Sequence, residues 1–525
     1  MPSNRVGMHL EPVLGEPDPR RTAQPVTASI ENKPFLWGVA TSGYQCEGGY
    51  NHAGGPTNNW HAWERSGTVE PTGAAVDFWN RYEADLETAA QAGLNAFRLG
   101  IEWARVQPST TGERQATAPA FDEDALGHYA RIVATCRRLG LEPIVTLHHF
   151  THPAWLGPDA WLCDATVDHF ERYVRHSVEA INHHLVHRHG VEPLRIYVTV
   201  NEPNILALNT YFARQFPAGR RGGPENLGQA LSRLLAAHVR GRDAIRRTHA
   251  AAGWDPPHVG MTLYVTDVYW SSQMLFDLLE LNWWKVPEHY AAEFLQSRAN
   301  ELEAALDAAD IPRVWGGRVR SRIHRKITSR LTRGWFDDRR NQSLYSALRR
   351  VDDERQLDFL AIDYYDPFSV HAVRWPSFDD LSRGWRHPGE LIWDAMSSKW
   401  WDWRPSPQGL TFFIRRLAQA FPDHPILVGE NGLAVRQPRF GPVYRRRDGW
   451  SRSEFLRAHV AAVQHARAAR LPVIGYLHWS LLDNYEWGTF TPRFGLLAID
   501  YRTLERHRTT ADGDAPLDTY AALLE

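Results

Sequence analysis

Cysteine is scarce in this chain: its 525 residues hold three, Cys46, Cys136 and Cys163. Their scatter gives neither a disulfide framework nor the paired spacing of a zinc site, which suits a reducing compartment. A surplus of one charge is also missing. Fifty-nine Lys and Arg stand against 61 Asp and Glu, a net charge of −2, so no global field draws the protein to nucleic acid or to a membrane. No apolar stretch approaches the roughly 20 residues of a membrane span. The opening MPSNRVGMHLEPVLGEPDPRR contains no apolar core of a secretory signal, so a cytoplasmic protein is expected. HExxH and cysteine clusters are lacking, and no GxGxxG follows the first strand candidate. Neither a metal nor a dinucleotide cofactor is expected. No Gly/Ser linker, low-complexity tract or internal repeat marks a domain boundary.

Aromatic residues are abundant: 12% of the chain, with 22 Trp. Some belong to the core, whereas others cluster around polar motifs, as where sugar rings stack on aromatic faces. Short apolar runs alternate with helical segments almost to the end. The predicted strands are Phe35–Val39, Ala96–Gly100, Ile144–Leu147, Ile196–Val200, Val259–Val265, Phe359–Ile362, Ile426–Val428 and Val473–His478. Helical patterns cover Phe78–Gly93, Tyr129–Gly140 and Leu456–Arg470, the first two ending in the expected glycine stop. Eight strands with interposed helices predict an α/β fold, a single (β/α)8 TIM barrel, over an open doubly wound sheet. Residues 1–34 are expected to form a flexible tail and 35–525 the barrel, with a long insertion, roughly 267–356, between strands five and six.

Two glutamates carry the functional reading. Glu202 lies in VTVNEPN and Glu430 in ILVGENG, each closing a β-branched apolar run of the kind that forms buried parallel strands. A carboxylate just past a strand's C-terminal end lies where barrel enzymes keep their chemistry. Two of them on one barrel can flank a glycosidic bond, one as nucleophile and one as proton donor.

In order, the chain also gives FLWGVATSGYQCEG, FRLGIEWARVQP, TLHHFTHPAWL, DFLAIDYYDPF and YLHWSLLDNYEWGTFTPRFGL. From about Phe35 to Tyr501 this series resembles glycoside hydrolase family 1, the retaining β-glycosidases. The resemblance implies a (β/α)8 barrel with Glu202 as acid/base after strand four and Glu430 as nucleophile after strand seven. It further implies that Arg98 and Tyr365 contact the nucleophile. Asn201 would meet the sugar 2-hydroxyl, and Gln45, His149, Glu486 and Trp487 would bind other hydroxyls. Trp479 would be the apolar floor and Phe494 would lie near the 6-hydroxymethyl group. His148 competes with His149 for its role, and alignment to the family's TLYHW favours the latter.

The chain departs from the family pattern at Gly429, where Thr is usual, at Phe150, where Trp is usual, and at Asp363, where Asn is usual. An ionised Asp363 near Glu202 would raise the acid's pKa or need its own cation. The loop GTFTPRFG is about one residue shorter than usual and lacks the Ser and Lys pattern of the 6-phospho-glycosidases, which favours a neutral terminal sugar. The expected reaction is hydrolysis of β-D-glucosides, with galactosides or fucosides tolerated. A transglycosylase using a hydrophobic or lipid acceptor is the alternative, and a non-catalytic glycan-binding protein the remote one. Trp155, Trp161, Tyr211, Phe212 and Ser397–Trp403 are candidates for an apolar aglycone site or for ordinary packing. Within the insertion, Arg313–Arg340 carries ten Lys or Arg. It reads either as a solvated helical face or as a peripheral contact for anionic or lipid-like partners, motivated by its interleaved Val, Ile, Leu and Trp. Nucleic acid is not an expected partner, and oligomeric state is not legible.

Overall fold

Each apolar run becomes one stave of a closed barrel in the computed structural model, which describes residues 34–109, 112–220, 222–309, 311, 317–334, 340–371 and 398–525. The strands are β1 (Leu36–Ala40), β2 (Ala96–Gly100), β3 (Glu142–Thr146), β4 (Ile196–Val198), β5 (His258–Tyr264), β6 (Phe359–Tyr364), β7 (Ile426–Asn431) and β8 (Val473–Trp479). They pair in chain order, all parallel, and β8 closes on β1. A parallel stave is covered on both faces, which is why these segments read as continuous apolar runs. Residues 1–33 of the expected tail, and parts of the insertion, lie outside the described residues.

The helices between staves keep the predicted periodicity; strand ends fall within three residues of the sequence reading, whereas two helices start earlier than read, at Glu123 instead of Tyr129 and at Arg452 instead of Leu456. Phe78–Gln91 and Glu123–Arg138 each stop just before a glycine with positive φ, Gly93 at 80° and Gly140 at 76°. Between β5 and β6 the chain forms helices Met274–Leu279, Ala291–Ala308, Gly317–Arg333 and Gln342–Leu348. Among the described residues, no helix is long and apolar enough to cross a membrane.

Two irregularities shape the barrel's C-terminal rim. Along β6 and β7 the partners run Ile362–Val428 and then Asp363–Glu430, so Gly429 is an extra residue on β7. Such a bulge re-aims the side chains beyond it, and here it sets Asp363 directly opposite Glu430. The next glycine, Gly432, passes so close to β8 that a Cβ would lie 2.1 Å from the Trp479 carbonyl oxygen. Gly432 of VGENG is therefore a steric requirement of the strands that carry the carboxylate.

Candidate active site

The rim residues converge on one cavity of about 1110 Å³. Glu202 reaches it by an abrupt turn after β4: its φ is 39°, in the left-handed region, and Pro203 begins the helix Pro203–Tyr211 immediately after it. Proline suits that first helical position because its missing N–H would have no partner there. The Glu202 backbone N–H donates to the Thr262 carbonyl at 3.2 Å, tying the turn to β5. Glu430 enters from the end of β7.

Arg98, fully buried on β2, organises the centre. Its guanidinium donates to Glu430 Oε1 at 3.0 Å, to the Gly429 carbonyl at 3.1 Å and to Thr146 Oγ1 at 2.9 Å, and it also donates to Asn201 Oδ1. Tyr365 O–H donates to the other Glu430 oxygen at 2.9 Å. Thr262 O–H donates to Asn201 Oδ1 at 2.7 Å. With its oxygen thus occupied, Asn201 directs its amide nitrogen to within 3.3 Å of His149 Nε2. His149 is stacked on Trp479 and on Trp487, with ring centroids 5.6 and 5.8 Å away. Burial, then Arg98 and His148, hold its imidazole well below the usual pKa, so it is neutral.

A second polar cluster closes the far wall. Glu486 accepts from Trp479 Nε1 at 3.1 Å and from Gln45 Nε2 at 3.1 Å. Burial pushes its carboxyl well above the ordinary range, with Trp479 as the strongest opposing influence. Gln45 is fully buried behind Glu486 and also donates to the Tyr485 carbonyl, whereas Glu486, Trp487 and Phe494 line the cavity itself. Phe494 packs edge-on against Tyr365 at 5.9 Å. His148, the competitor of His149, is turned away against Trp161 and reaches no hydrogen-bond partner.

The structure thus brings together all eleven residues singled out from the sequence, nine on the cavity wall and Arg98 and Gln45 immediately behind it. It divides the aglycone candidates. Phe212, Ser398, Lys399, Trp400, Trp401 and Trp403 line the cavity, whereas Trp155, Trp161 and Tyr211 do not. Those three are core side chains, at most 2% exposed. Trp155 Nε1 donates to the Gln107 carbonyl and Tyr211 O–H accepts from the Trp161 backbone. Ser397 lies outside the described residues. Thr262 was not singled out, although a hydroxyl inside the apolar run VGMTLYV is the signal that marks it.

Asp363 makes the centre unusual. Carboxylate oxygens of Glu202, Asp363 and Glu430 lie within 4.8 Å of one another. Asp363 is fully buried, accepts no hydrogen bond from a neighbouring N–H or hydroxyl, and lies 3.7 Å from the Arg98 guanidinium. One cation faces three acids, so they cannot all ionise cheaply. Burial and then Asp363 and Glu430 drive the Glu202 carboxyl well above its ordinary value. Burial and then Glu430 do the same to Asp363. Glu430 is raised by burial as well, but Arg98 and the Tyr365 hydroxyl pull it back. A proton on Glu202 or Asp363 can be donated to the other, whereas Glu430 has two fixed donors and is the acid left ionised.

Because Asp363 binds its proton more tightly folded than unfolded, it costs stability as pH rises above about 4, the unfolded carboxyl value. Asp363→Asn removes that cost. The thermal midpoint of the variant is expected to exceed that of the parent by a margin absent at low pH and growing toward neutrality. Calorimetry across pH measures it, and a variant less stable at neutral pH would mean that Arg98 holds Asp363 ionised.

Comparison with known proteins agrees with this fold. Two relatives named 6-phospho-β-galactosidase align over nine-tenths of the chain. The one from Streptococcus pneumoniae is 25% identical, with 95% of its own length covered. The one from Lacticaseibacillus casei is 26% identical, with 94% of its length covered. Among solved structures, a β-glucosidase from Thermotoga maritima in complex with noeuromycin superposes with a TM-score of 0.64 at 22% identity, covering 93% of this chain and 97% of that one, a likeness of fold. The sequence profile of glycosyl hydrolase family 1 matches residues 29–514, and the chain belongs to that family.

Proposed function

We propose that the protein is a retaining β-glycosidase that releases terminal β-D-glucosyl residues from neutral glycosides, tolerating galactosyl or fucosyl residues. The observation that carries the reading is the approach of the Glu202 and Glu430 oxygens to within 4.8 Å. That spacing suits direct attack by one carboxylate, whereas an inverting enzyme needs about 6.5–9.5 Å to seat a water between them. In this reading, ionised Glu430 attacks the anomeric carbon while the Glu202 proton passes to the departing oxygen. The resulting glycosyl-enzyme ester is then cleaved by a water whose proton returns to Glu202. Asn201, oriented by Arg98 and Thr262, presents its amide nitrogen to the 2-hydroxyl, where hydrogen bonds tighten toward the transition state. Glu486 accepts from sugar hydroxyls and Trp479 forms the apolar floor.

A 6-phosphorylated sugar, named in the relatives above, fits less well. The wall formed by Trp479, Gln45 and Glu486 presents carboxyl oxygens, which accept from hydroxyls, where a phosphate would need a cation. p-Nitrophenyl β-D-glucoside, galactoside, fucoside and mannoside, together with 6-phospho-glucoside and 6-phospho-galactoside, test this directly. Release from a neutral sugar, and at most trace release from the phosphorylated pair, is expected. The reverse order would transfer the chain to the 6-phospho class.

Transglycosylation has its own support. A cavity of about 1110 Å³, walled by Trp400, Trp401, Trp403 and Phe212, exceeds the usual 300–1,000 Å³ ligand pocket and leaves room for an apolar aglycone or acceptor. A lipid contact through the basic insertion belongs to the same reading. Added alcohol or lipid acceptors should divert product from free sugar, and near-complete sugar release despite them would exclude transfer.

The pH profile reports on the acid pair. Removing the Asp363 charge lowers the Glu202 pKa, so Asp363→Asn is expected to move the alkaline limb of kcat/KM to lower pH. An unmoved limb would mean that Asp363 is itself protonated throughout the working range.

A further inference from the structure

The insertion helix Gly317–Arg333 has three distinct faces. One seats it on the barrel. Arg325, fully buried, pairs with Glu303 at 2.9 Å and Asp307 at 2.5 Å on the neighbouring helix, and His324 Nδ1 lies 3.3 Å from the Ser369 hydroxyl. His324, Thr328 and Thr332 on this side line the catalytic cavity. A second face is apolar and open: Val319, Ile323, Ile327 and Leu331 are 69%, 54%, 54% and 65% exposed. Residues four apart advance by only about 40° around a helix, so these four form one oblique stripe. The third face is cationic, with Lys326, Arg330 and Arg333 exposed.

Soluble surfaces scatter their exposed aliphatic residues singly, whereas a contiguous stripe marks a docking surface. The charge beside this one selects the occupant. Residues 317–333 contain seven Lys or Arg and no Asp or Glu, in a protein whose net charge is −2. An amphipathic helix with a cationic flank and branched aliphatics is built to lie in the headgroup region of an anionic bilayer. The angular order matters equally: cations, then the apolar stripe, then the cavity-lining His324 and Thr328. The stripe therefore borders the cavity wall.

We propose that this helix docks the enzyme on anionic phospholipid bilayers through Val319, Ile323, Ile327 and Leu331, with Lys326, Arg330 and Arg333 engaging the headgroups. On the glycosidase reading above, the seat sets the substrate cavity beside the bilayer, so that a glycoside or acceptor with a membrane-embedded tail can enter without leaving it. The docking itself does not depend on that reading.

Vesicle flotation with the full chain tests it, using phosphatidylcholine vesicles with and without phosphatidylglycerol. Binding to the anionic vesicles is expected to exceed that to the neutral ones by about tenfold and to weaken with salt. Ile323→Ser/Ile327→Ser/Leu331→Ser should lower it by about tenfold or more, because each lost side chain no longer enters the apolar layer. Lys326→Glu/Arg330→Glu should bring it to the neutral-vesicle level. The thermal midpoints of both variants, and their hydrolysis of a water-soluble nitrophenyl glycoside, should match the parent. Absent binding, equal binding to both vesicle types, or binding indifferent to the triple substitution overturns the proposal. So does a dimer in sedimentation that the triple substitution splits, since a second copy would then cover the stripe. Vesicle binding without hydrolysis of any glycoside would count against the proposed function and leave the docking standing.

Discussion

Glu430→Gln is expected to lower kcat by at least roughly 10⁴-fold on every glycoside, whatever the leaving group, because on the proposed mechanism it removes the group that forms the covalent intermediate. The substitution is nearly isosteric. The carbonyl oxygen of the new amide can still accept from Arg98 or Tyr365, which contact Glu430 at 3.0 and 2.9 Å, so the cavity keeps its shape and substrate still binds. What disappears is the charge that, on the proposed mechanism, attacks the anomeric carbon. Stability should move the opposite way. Glu430 is raised by burial, so the folded state binds its proton more tightly than the unfolded chain does. Stability is then lost as pH rises above the unfolded value of about 4.3. A neutral amide abolishes that slope, and Asp363, 3.7 Å from the guanidinium, keeps Arg98 from being left without a counter-charge. The inactive variant should therefore melt no lower than the parent at pH 4, and higher at pH 7. Turnover within about tenfold of the parent would remove Glu430 from the nucleophile's role. A variant destabilised increasingly with pH would mean that Arg98 holds Glu430 below its unfolded value.

The barrel was legible because its staves are short and apolar on both faces, and because each carries its chemistry at one end. Ile196–Val198 stops four residues before Glu202 and Ile426–Asn431 carries Glu430 next to its last residue, so strand order, site and motif coincided in one dimension. Side-chain direction was not legible. Trp155 and Trp161 stand in a motif-rich stretch yet point into the core, while Trp400, Trp401 and Trp403, in another aromatic stretch, face the cavity. Composition cannot separate these cases, because both are apolar environments.

The departures Asp363 and Gly429 looked independent, since 66 positions separate them. In space they are one change. A Cβ on Gly429 would lie 2.8 Å from Asp363 Oδ1 and 3.3 Å from Thr262 Cγ2, so the third carboxylate occupies room that a side chain at 429 would claim. Only the bulge that pairs Asp363 with Glu430 makes that visible. The insertion helix shows the opposite case: its stripe at 319, 323, 327 and 331 was readable as a spacing, but which face the barrel would cover was not.

Glu202→Ala is expected to split substrates by leaving group. Alkyl glycosides need a proton on the departing oxygen, and losing the donor should cost them about 10²–10⁴-fold. Dinitrophenolate leaves without a proton, so the glycosyl-enzyme should still form and then accumulate, because on the proposed mechanism the same residue activates the water that cleaves it. Azide, which needs no general base, should attack the anomeric carbon of that intermediate, restore turnover and yield a β-glycosyl azide. Asp363 bears on the size of the loss. Its carboxyl lies within 4.8 Å of both glutamates' nearest oxygens, and burial and then Glu430 raise its pKa well above the ordinary value, so with Glu202 removed it is the second acid able to hold a proton close to the scissile bond. Residual activity of Glu202→Ala on alkyl glycosides should therefore fall further in Glu202→Ala/Asp363→Asn, while azide rescue on the dinitrophenyl glycoside persists in both. Equal losses on all leaving groups, with azide inert, would take the acid/base role from Glu202. A double variant no weaker than the single one would confine Asp363 to tuning its neighbour's pKa, because a proton delivered from Asp363 itself would have been missed.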